Sequence, residues 1–396
     1  METIEYLLNI TAIMLLIPVC VIFLQVIFAY LPGSRESVSI STNTKIAVLV
    51  PAHDEAEGIT TTINSILPQL KPGDRLLVVA DNCMDNTAAV AIAKGAEVIK
   101  RFDHDNRGKG FALDFGIRFL AQNPPEVVVI VDADCTVEDN AISKLVAYSV
   151  RRDRPVQCLY LMLSPHEAGL EGKIIEFAWI VRNLVRPLGY ARLGLPCQLM
   201  GSGMAFPWSA IKNINLANGN LVEDMKLGID LSKSGKSPIF YENALVTSYF
   251  PNTSEAQSVQ RTRWEHGHLG MMLSQVPQLF GLGIIRGNKN MVAMALDLCV
   301  PPLALLVVIQ GGFLMLVTFA GTMGISYLPL LISLVATVML VLSIFMAWWG
   351  WARHVISPTS FFLIPIYVLS KIPHYLKFLF NRQKQWVRTD RKNRMD

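Results

Sequence analysis

The stretch VVVIVDADC, Val127–Cys135, decides how this chain folds and raises its first chemical question. Five β-branched residues, Val127 to Val131, run without a polar break, the composition of a strand buried on both faces. The run then meets two carboxylates, Asp132 and Asp134, with only Ala133 between them. Acids this close do not both stay ionised unless positive charge sits beside them. Taken alone, the pair could equally cap the helix that follows, so its meaning depends on its surroundings.

Upstream, strands and helices alternate with short links. KIAVLV (45–50) reads as a strand stopped by Pro51, and a helix follows over roughly 58–67. RLLVVAD (75–81) is a second strand. Asp85 is placed to cap a helix over 86–94 that Gly95 ends, and AEVIKR (96–101) is a third strand. A helix over 110–120 is expected to carry Ala112, Phe115 and Phe119 on one face. Another is expected near 138–150, after the Val127–Val131 strand. This alternation predicts an α/β fold, a doubly wound, mostly parallel sheet covered on both faces.

In such sheets ligands sit beyond the carboxyl ends of the strands. One rim then gathers PAHDE (Pro51–Glu55), Asp81 with DNCMDN, and the Asp132/Asp134 pair. Neither a P-loop nor a GxGxxG pattern is present, which argues against a Walker or dinucleotide site. Magnesium and manganese prefer oxygen ligands and share them with substrate phosphates, so a divalent cation carrying phosphates answers the charge problem. Three further stretches bear on it. RGKG (107–110) sets two cations and two glycines before a helix, a favourable place for phosphate. NLVEDMKLGIDL (220–231) puts Glu223 and Asp224 beside an amphipathic helix. QRTRWEHGH (260–268) combines an amide, two arginines and a tryptophan.

The chain has 396 residues, 52% hydrophobic and 17% charged, with its apolar residues clustered. Leu7–Tyr30, Met291–Ala320 and Leu328–Trp351 each exceed the roughly 20 residues that cross a bilayer. The first has acidic flanks, Glu2 and Glu5, and too long an apolar core for a cleavable signal, so a retained anchor is expected. The net charge is +4, and Lys371, Lys377, Arg382, Lys384, Arg388, Arg391, Lys392 and Arg394 crowd the C-terminus. By the positive-inside rule that end is cytoplasmic. Two spans before it then put the central segment in the cytoplasm as well. Phe361–Phe380 is interrupted by Pro365, Lys371, Pro373, His374 and Lys377 and is expected to lie in the interface. Arg182, Arg186 and Arg192 suggest either a helix reaching lipid headgroups or a solvated amphipathic one. The six cysteines show no zinc spacing and are expected to be reduced thiols.

Together the motifs resemble those of processive-type family 2 glycosyltransferases, which include cellulose, hyaluronan and chitin synthases. That family's D, DxD, (T/E)ED and QxxRW appear here as Asp81, Asp132-Ala133-Asp134, Val222-Glu223-Asp224 and Gln260-Arg261-Thr262-Arg263-Trp264. Four ordered motifs across residues 45–268 are far more specific than any one alone. Val222 departs from the family's Thr or Glu, and Asp54 stands where Asn is common, but neither removes a charged catalytic group.

The resemblance implies a GT-A-like domain at 31–290, with interfacial helices near its end. An anchor at 1–30, two transmembrane helices in 291–352, and an interfacial segment with a basic tail at 353–396 would surround it. Pro51, His53, Glu55 and Asp81 would bind the nucleotide, and Lys109 would approach the diphosphate. Asp134 and Asp132 would hold Mg2+ or Mn2+, with Asp132 also at the nucleotide sugar. Asp224, beside Glu223, would be the general base. Gly201, Ser202, Gly203, Gln260, Arg263 and Trp264 would border the acceptor and pyrophosphate.

The implied reaction is inverting transfer from a UDP- or GDP-sugar to a glycan or lipid-linked acceptor at the plasma (inner) membrane, as in exopolysaccharide or cell-surface glycan synthesis. No nucleic acid is expected as a partner. Ceramide glucosyltransferases resemble the layout too, so single-sugar transfer to a lipid stands as an alternative. VVVIVDADCT also matches the haloacid-dehalogenase pattern, DxDxT, a more distant alternative as a phosphohydrolase.

Overall fold

The computed structural model describes residues 2–33, 44–165, 168–217, 219–251, 253–370 and 372. In chain order the helices are α1 (Glu2–Ala29), α2 (Ile59–Ile66), α3 (Thr87–Ala93), α4 (Lys109–Leu120), α5 (Ala141–Arg152), α6 (Leu170–Ile180), α7 (Arg186–Arg192), α8 (Trp208–Ile211), α9 (Glu223–Lys233), α10 (Ser254–Ile285), α11 (Lys289–Leu298), α12 (Leu303–Thr322), α13 (Leu328–Trp351), α14 (Pro358–Phe361) and α15 (Ile364–Ser370). The strands are β1 (Ile46–Ala52), β2 (Arg75–Asp81), β3 (Glu97–Arg101), β4 (Val127–Ile130), β5 (Thr136–Val137), β6 (Val156–Leu163), β7 (Met204–Pro207) and β8 (Ile239–Tyr249).

The chain divides into two compact units. One contains the sheet, within residues 44–163 and 195–267. The other contains the long apolar helices together with residues 164–165, 168–194 and the segment from His268. Residues 164–165, 168–194 and 268–290, within the expected 31–290 domain, group with the apolar helices.

In the sheet unit eight strands form one sheet in the order β3-β2-β1-β4-β7-β6-β8-β5. β1 pairs in parallel with β2 and β4, β2 with β3, and β6 with β8, whereas β7 and β5 run against their neighbours. Six strands therefore share one direction, and the fold is GT-A-like with a mixed, mostly parallel sheet.

The valine runs are buried on both faces, as expected. On one face Ala47, Leu49, Leu77, Val79, Val128 and Ile130 pack against α4, α8 and α9 in one core. Their alternates Val48, Val50, Val78 and Val129 are equally buried and must be covered from the other side. The helix expected over 110–120 forms as α4, but it buries Ala112, Leu113, Gly116, Ile117 and Leu120 and leaves Phe115 38% exposed. The buried stripe is thus rotated away from Phe115. The helix expected near 138–150 forms as α5, three residues later, because Thr136 and Val137 first pair with β8.

In the other unit, among the described residues, three helices, α1, α12 and α13, are long and apolar enough to cross a membrane. Met291–Ala320 is not one span: Pro301 and Pro302 separate α11 from α12, since proline supplies no N–H and fixes φ. α14 and α15 are too short to cross, and 373–396, with the basic residues from Lys377 on, lies outside the described residues, as does Lys371.

Arg186 faces neither headgroups nor water. It is 8% exposed, donates to Gln25 Oε1 at 2.9 Å and meets Asp297 Oδ1 at 2.8 Å; Gln25 Nε2 donates to the same carboxylate at 2.6 Å. These three residues join α1, α7 and α11. Removing one member of a buried ion pair strands the other, at about 3–5 kcal/mol. Arg186→Ala is expected to lower the thermal unfolding midpoint of the detergent-solubilised protein well below that of Arg182→Ala, whose guanidinium lies over the Trp179 ring.

Candidate active site

The rim beyond the carboxyl ends of β1, β2 and β4 gathers the predicted residues in two groups. The first centres on Gly201. Lys109, the first residue of α4, donates from Nζ to the Gly201 carbonyl at 2.8 Å and forms an ion pair with Asp132. The same ammonium lies 4.0 Å from Glu223 Oε1. Gly201 has φ +96°, a conformation that glycine adopts without strain. A Cβ there would stand 3.4 Å from Asp224 Oδ2, 3.5 Å from Lys109 Nζ and 3.7 Å from Asp132 Oδ2. Three sequence motifs spread over more than a hundred residues thus surround one backbone position. A small pocket beside it is lined by Lys109, Met204, Leu216, Glu223, Asp224 and Leu227.

The charges answer one another. Burial opposes the charge on Lys109, but Asp132, Glu223 and Asp224 outweigh it and raise its pKa above the ordinary lysine value. Glu223 moves up to about 7: burial raises it, Lys109 and Arg263 hold it back, and Asp224 pushes it further. Arg263 of the QxxRW stretch is therefore within electrostatic reach of the acids. Gln260, 1% exposed, and Trp264 lie on the same helix, α10. Gly267, which sequence reasoning missed, explains how that helix closes on Val222: a Cβ would meet Val222 Cγ1 at 2.7 Å.

Ser202 Oγ accepts from the Asp132 N–H at 3.1 Å, and Gln157 brackets the loop, donating to the Ser202 carbonyl at 2.8 Å and accepting from Met200 N at 2.8 Å. Gly203 abuts Cys158, whose Sγ would lie 2.0 Å from an added Cβ. These contacts shape the 200–203 turn.

The second group surrounds Asp81. Its Oδ1 accepts from Arg101 Nη1 at 2.7 Å and Asn82 Nδ2 at 3.0 Å, and its carbonyl lies 2.7 Å from His53 Nδ1. Among the described residues Oδ2 has no hydrogen bond. Burial raises the Asp81 pKa, and Arg101 only partly offsets it. Arg101 also pairs with Asp103 at 2.8 Å. The Glu55 N–H donates to Thr87 Oγ1 at 2.8 Å. Pro51 continues β1 beside Val79 of β2. β1 lies between β2 and β4, so Asp81 stands about 10 Å from the β4 acids, two strand spacings away. Arg101 was legible as a possible site residue only through its place at the end of β3, on the same rim.

Ligand atoms of Asp132, Asp134 and Cys135 lie within 4.8 Å of one another. Burial, then Asp132, pushes the Cys135 thiol up to about 12, which disfavours its thiolate. What remains is a pair of hard carboxylates, which fits Mg2+ or Mn2+ better than a thiolate-seeking metal.

Residues 43–267 match the family described as "Glycosyltransferase like family 2", and the chain belongs to that family. It is 26% identical over 256 residues to the probable glycosyltransferase YdaM of Bacillus subtilis (strain 168), covering 60% of this chain and 58% of that protein. It is 27% identical over 240 residues to a poly-beta-1,6-N-acetyl-D-glucosamine synthase of Staphylococcus epidermidis, covering 56% and 54%. The chain thus spans less than two-thirds of the length of these curated relatives. Among solved structures, the mannosyltransferase PcManGT from Pyrobaculum calidifontis, in complex with GDP-Man and Mn2+, aligns with a TM-score of 0.52 at 14% identity, covering 88% of this chain and 99% of that one. That likeness concerns the fold. The family assignment displaces the phosphohydrolase alternative, and β4 follows three strands where a dehalogenase motif would end the first.

Proposed function

We propose that the protein transfers a sugar from a nucleotide diphosphate sugar to a membrane-associated glycan, with inversion at the anomeric carbon. The observation that carries this reading is the convergence of Lys109, Asp132 and Asp224 on Gly201. Asp81 and His53 take the base and ribose, and Lys109 meets the diphosphate. Asp132 and Asp134 hold Mg2+ or Mn2+, which when bound would neutralise charge on the leaving diphosphate. Asp224 takes the proton of the acceptor hydroxyl. The hydroxyl oxygen attacks the anomeric carbon from the side opposite the diphosphate, whose carbon–oxygen bond breaks with the electron pair leaving on the phosphate oxygen. One displacement turns an α-linked donor into a β-linked product. Gln260, Arg263 and Trp264 border the acceptor and the departing pyrophosphate.

The base reading favours uridine. Arg101 and Asn82 fill Asp81 Oδ1 and leave Oδ2 as acceptor. Uracil offers one imide N–H to a single oxygen. Guanine offers N1–H and N2–H side by side, which call for both carboxylate oxygens. A buried donor left unpaired costs about 1–3 kcal/mol, so UDP is expected to inhibit at roughly one-fifth the concentration of GDP or less. Equal inhibition by the two overturns the uridine reading.

In this reading the 44–267 segment lies in the cytoplasm, and α1, α12 and α13 cross the membrane. Membranes carrying the full chain, given UDP- and GDP-sugars with Mg2+ or Mn2+, test the whole proposal. Metal-dependent release of nucleoside diphosphate with a long glycan supports polymer synthesis, a single labelled glycolipid supports the lipid alternative, and free sugar without an acceptor product refutes transfer.

A further inference from the structure

We propose that Ser248, braced by Tyr160, is a positioning residue that fixes the rotamer of Asp134, a carboxylate of the cation site. This rests on the reading of Asp132 and Asp134 as a divalent-cation site. Ser248 lies on β8 and is 2% exposed. Its Oγ is 2.9 Å from Asp134 Oδ2 and 3.3 Å from the Asp134 carbonyl. An ionised carboxylate only accepts, so the serine hydroxyl donates, and its single hydrogen goes to the nearer and charged oxygen. The lone pairs of Oγ are then free to accept in turn.

The Tyr160 hydroxyl interacts with Ser248 and is the donor placed for that second bond. In the parallel β6–β8 register Tyr160 pairs with Val246 and Met162 with Ser248, so Tyr160 and Ser248 lie two positions apart on the same face. Burial keeps the Tyr160 phenol protonated, hence a donor. The bonds therefore run in one direction, from Tyr160 O–H to Ser248 Oγ and from Ser248 O–H to Asp134 Oδ2. The backbone is held as well: just after Asp134, Thr136 and Val137 pair with Thr247 and Val246 of β8. One strand thus fixes both the main chain and the carboxylate of Asp134. With Oδ2 held by Ser248, Oδ1 lies 3.7 Å from the Cys135 thiol.

Hydrogen bonds to a ligating carboxylate typically change metal affinity 10–100-fold when removed. The test is Mn2+ binding to the purified full-length protein, read from the electron paramagnetic resonance signal of free Mn2+ with and without UDP. Asp134→Asn is expected to abolish the binding that UDP enhances. Ser248→Ala is expected to weaken it about 10–100-fold, Ser248→Thr to restore it to within about 3-fold, and Tyr160→Phe to fall between. A Ser248→Ala protein that melts lower but binds Mn2+ like the parent has lost only structure, and the proposal falls. Should Ser248→Ala not fold, Tyr160→Phe, which removes one oxygen, carries the test, and parental affinity there overturns the proposal. If Asp134→Asn itself leaves Mn2+ binding intact, the cation-site reading fails, an outcome separate from parental binding in the Ser248 and Tyr160 variants alone.

Discussion

Replacing Asp224 by asparagine is expected to lower turnover about 10²–10⁴-fold, the range for loss of a positioned general base. The amide keeps the shape but cannot accept the acceptor's proton. Asp224 Oδ1 already accepts from Met225 N at 2.8 Å, so the side chain is held at the start of α9 and a near-isosteric amide should fold. Donor binding should survive, because Asp81, Lys109 and the β4 acids are untouched. The measurement is initial rate against UDP-sugar concentration: kcat collapses while KM stays within a few-fold. A variant that keeps more than about a tenth of parental kcat would remove Asp224 from the role.

Lys109→Met is expected to be the next most damaging change, through charge rather than shape. Lys109 balances Asp132, Glu223 and Asp224, and removing it leaves those acids facing one another across Gly201. Loss of one preorganised charge-stabilising donor at a transition state costs about 10²–10³ in kcat. The pH dependence gives the sign. Glu223 already sits at about 7, raised by burial and by Asp224 against the pull of Lys109 and Arg263. Without the lysine it moves higher still. A carboxyl whose folded pKa is raised above its unfolded value contributes stability that is fully present below the unfolded value and lost as pH rises through the folded one. The variant is therefore expected to lose most stability relative to the parent above pH about 7, and to approach it as pH falls towards the ordinary glutamate value of 4.5. Melting curves across that window check it; a deficit independent of pH would mean that Lys109 acts by packing alone.

The two effects share a structural cause that bears on how the site was legible. Asp132, Glu223 and Asp224 each stand in a motif, and strand ends predict a rim, so the candidate residues could be named from their types and order. The partner of each could not. Lys109 reaches Gly201 across 92 positions of sequence, Arg101 reaches Asp81 across 20, and Ser248 reaches Asp134 across 114. Hydrogen-bond partners at such separations depend on strand order and register, which a local pattern does not encode. The misplaced α4 face has the same origin: Phe115 is apolar enough for a core, but the sheet's demand for Leu113, Gly116 and Ile117 sets the rotation.

Composition and period by themselves determined that apolar helices lie at both ends of this chain, that an α/β sheet lies between them, and that its rim carries acids in the family 2 glycosyltransferase order. Those properties follow from side-chain chemistry and short-range periodicity. Only the tertiary structure decided that β7 and β5 run against the other six strands, that Arg186 is sealed in a pair with Asp297, and that Lys109, Asp132 and Asp224 meet around one glycine. Each of these is a contact between distant segments, and burial made it favourable only once the whole sheet or helix set had assembled around it.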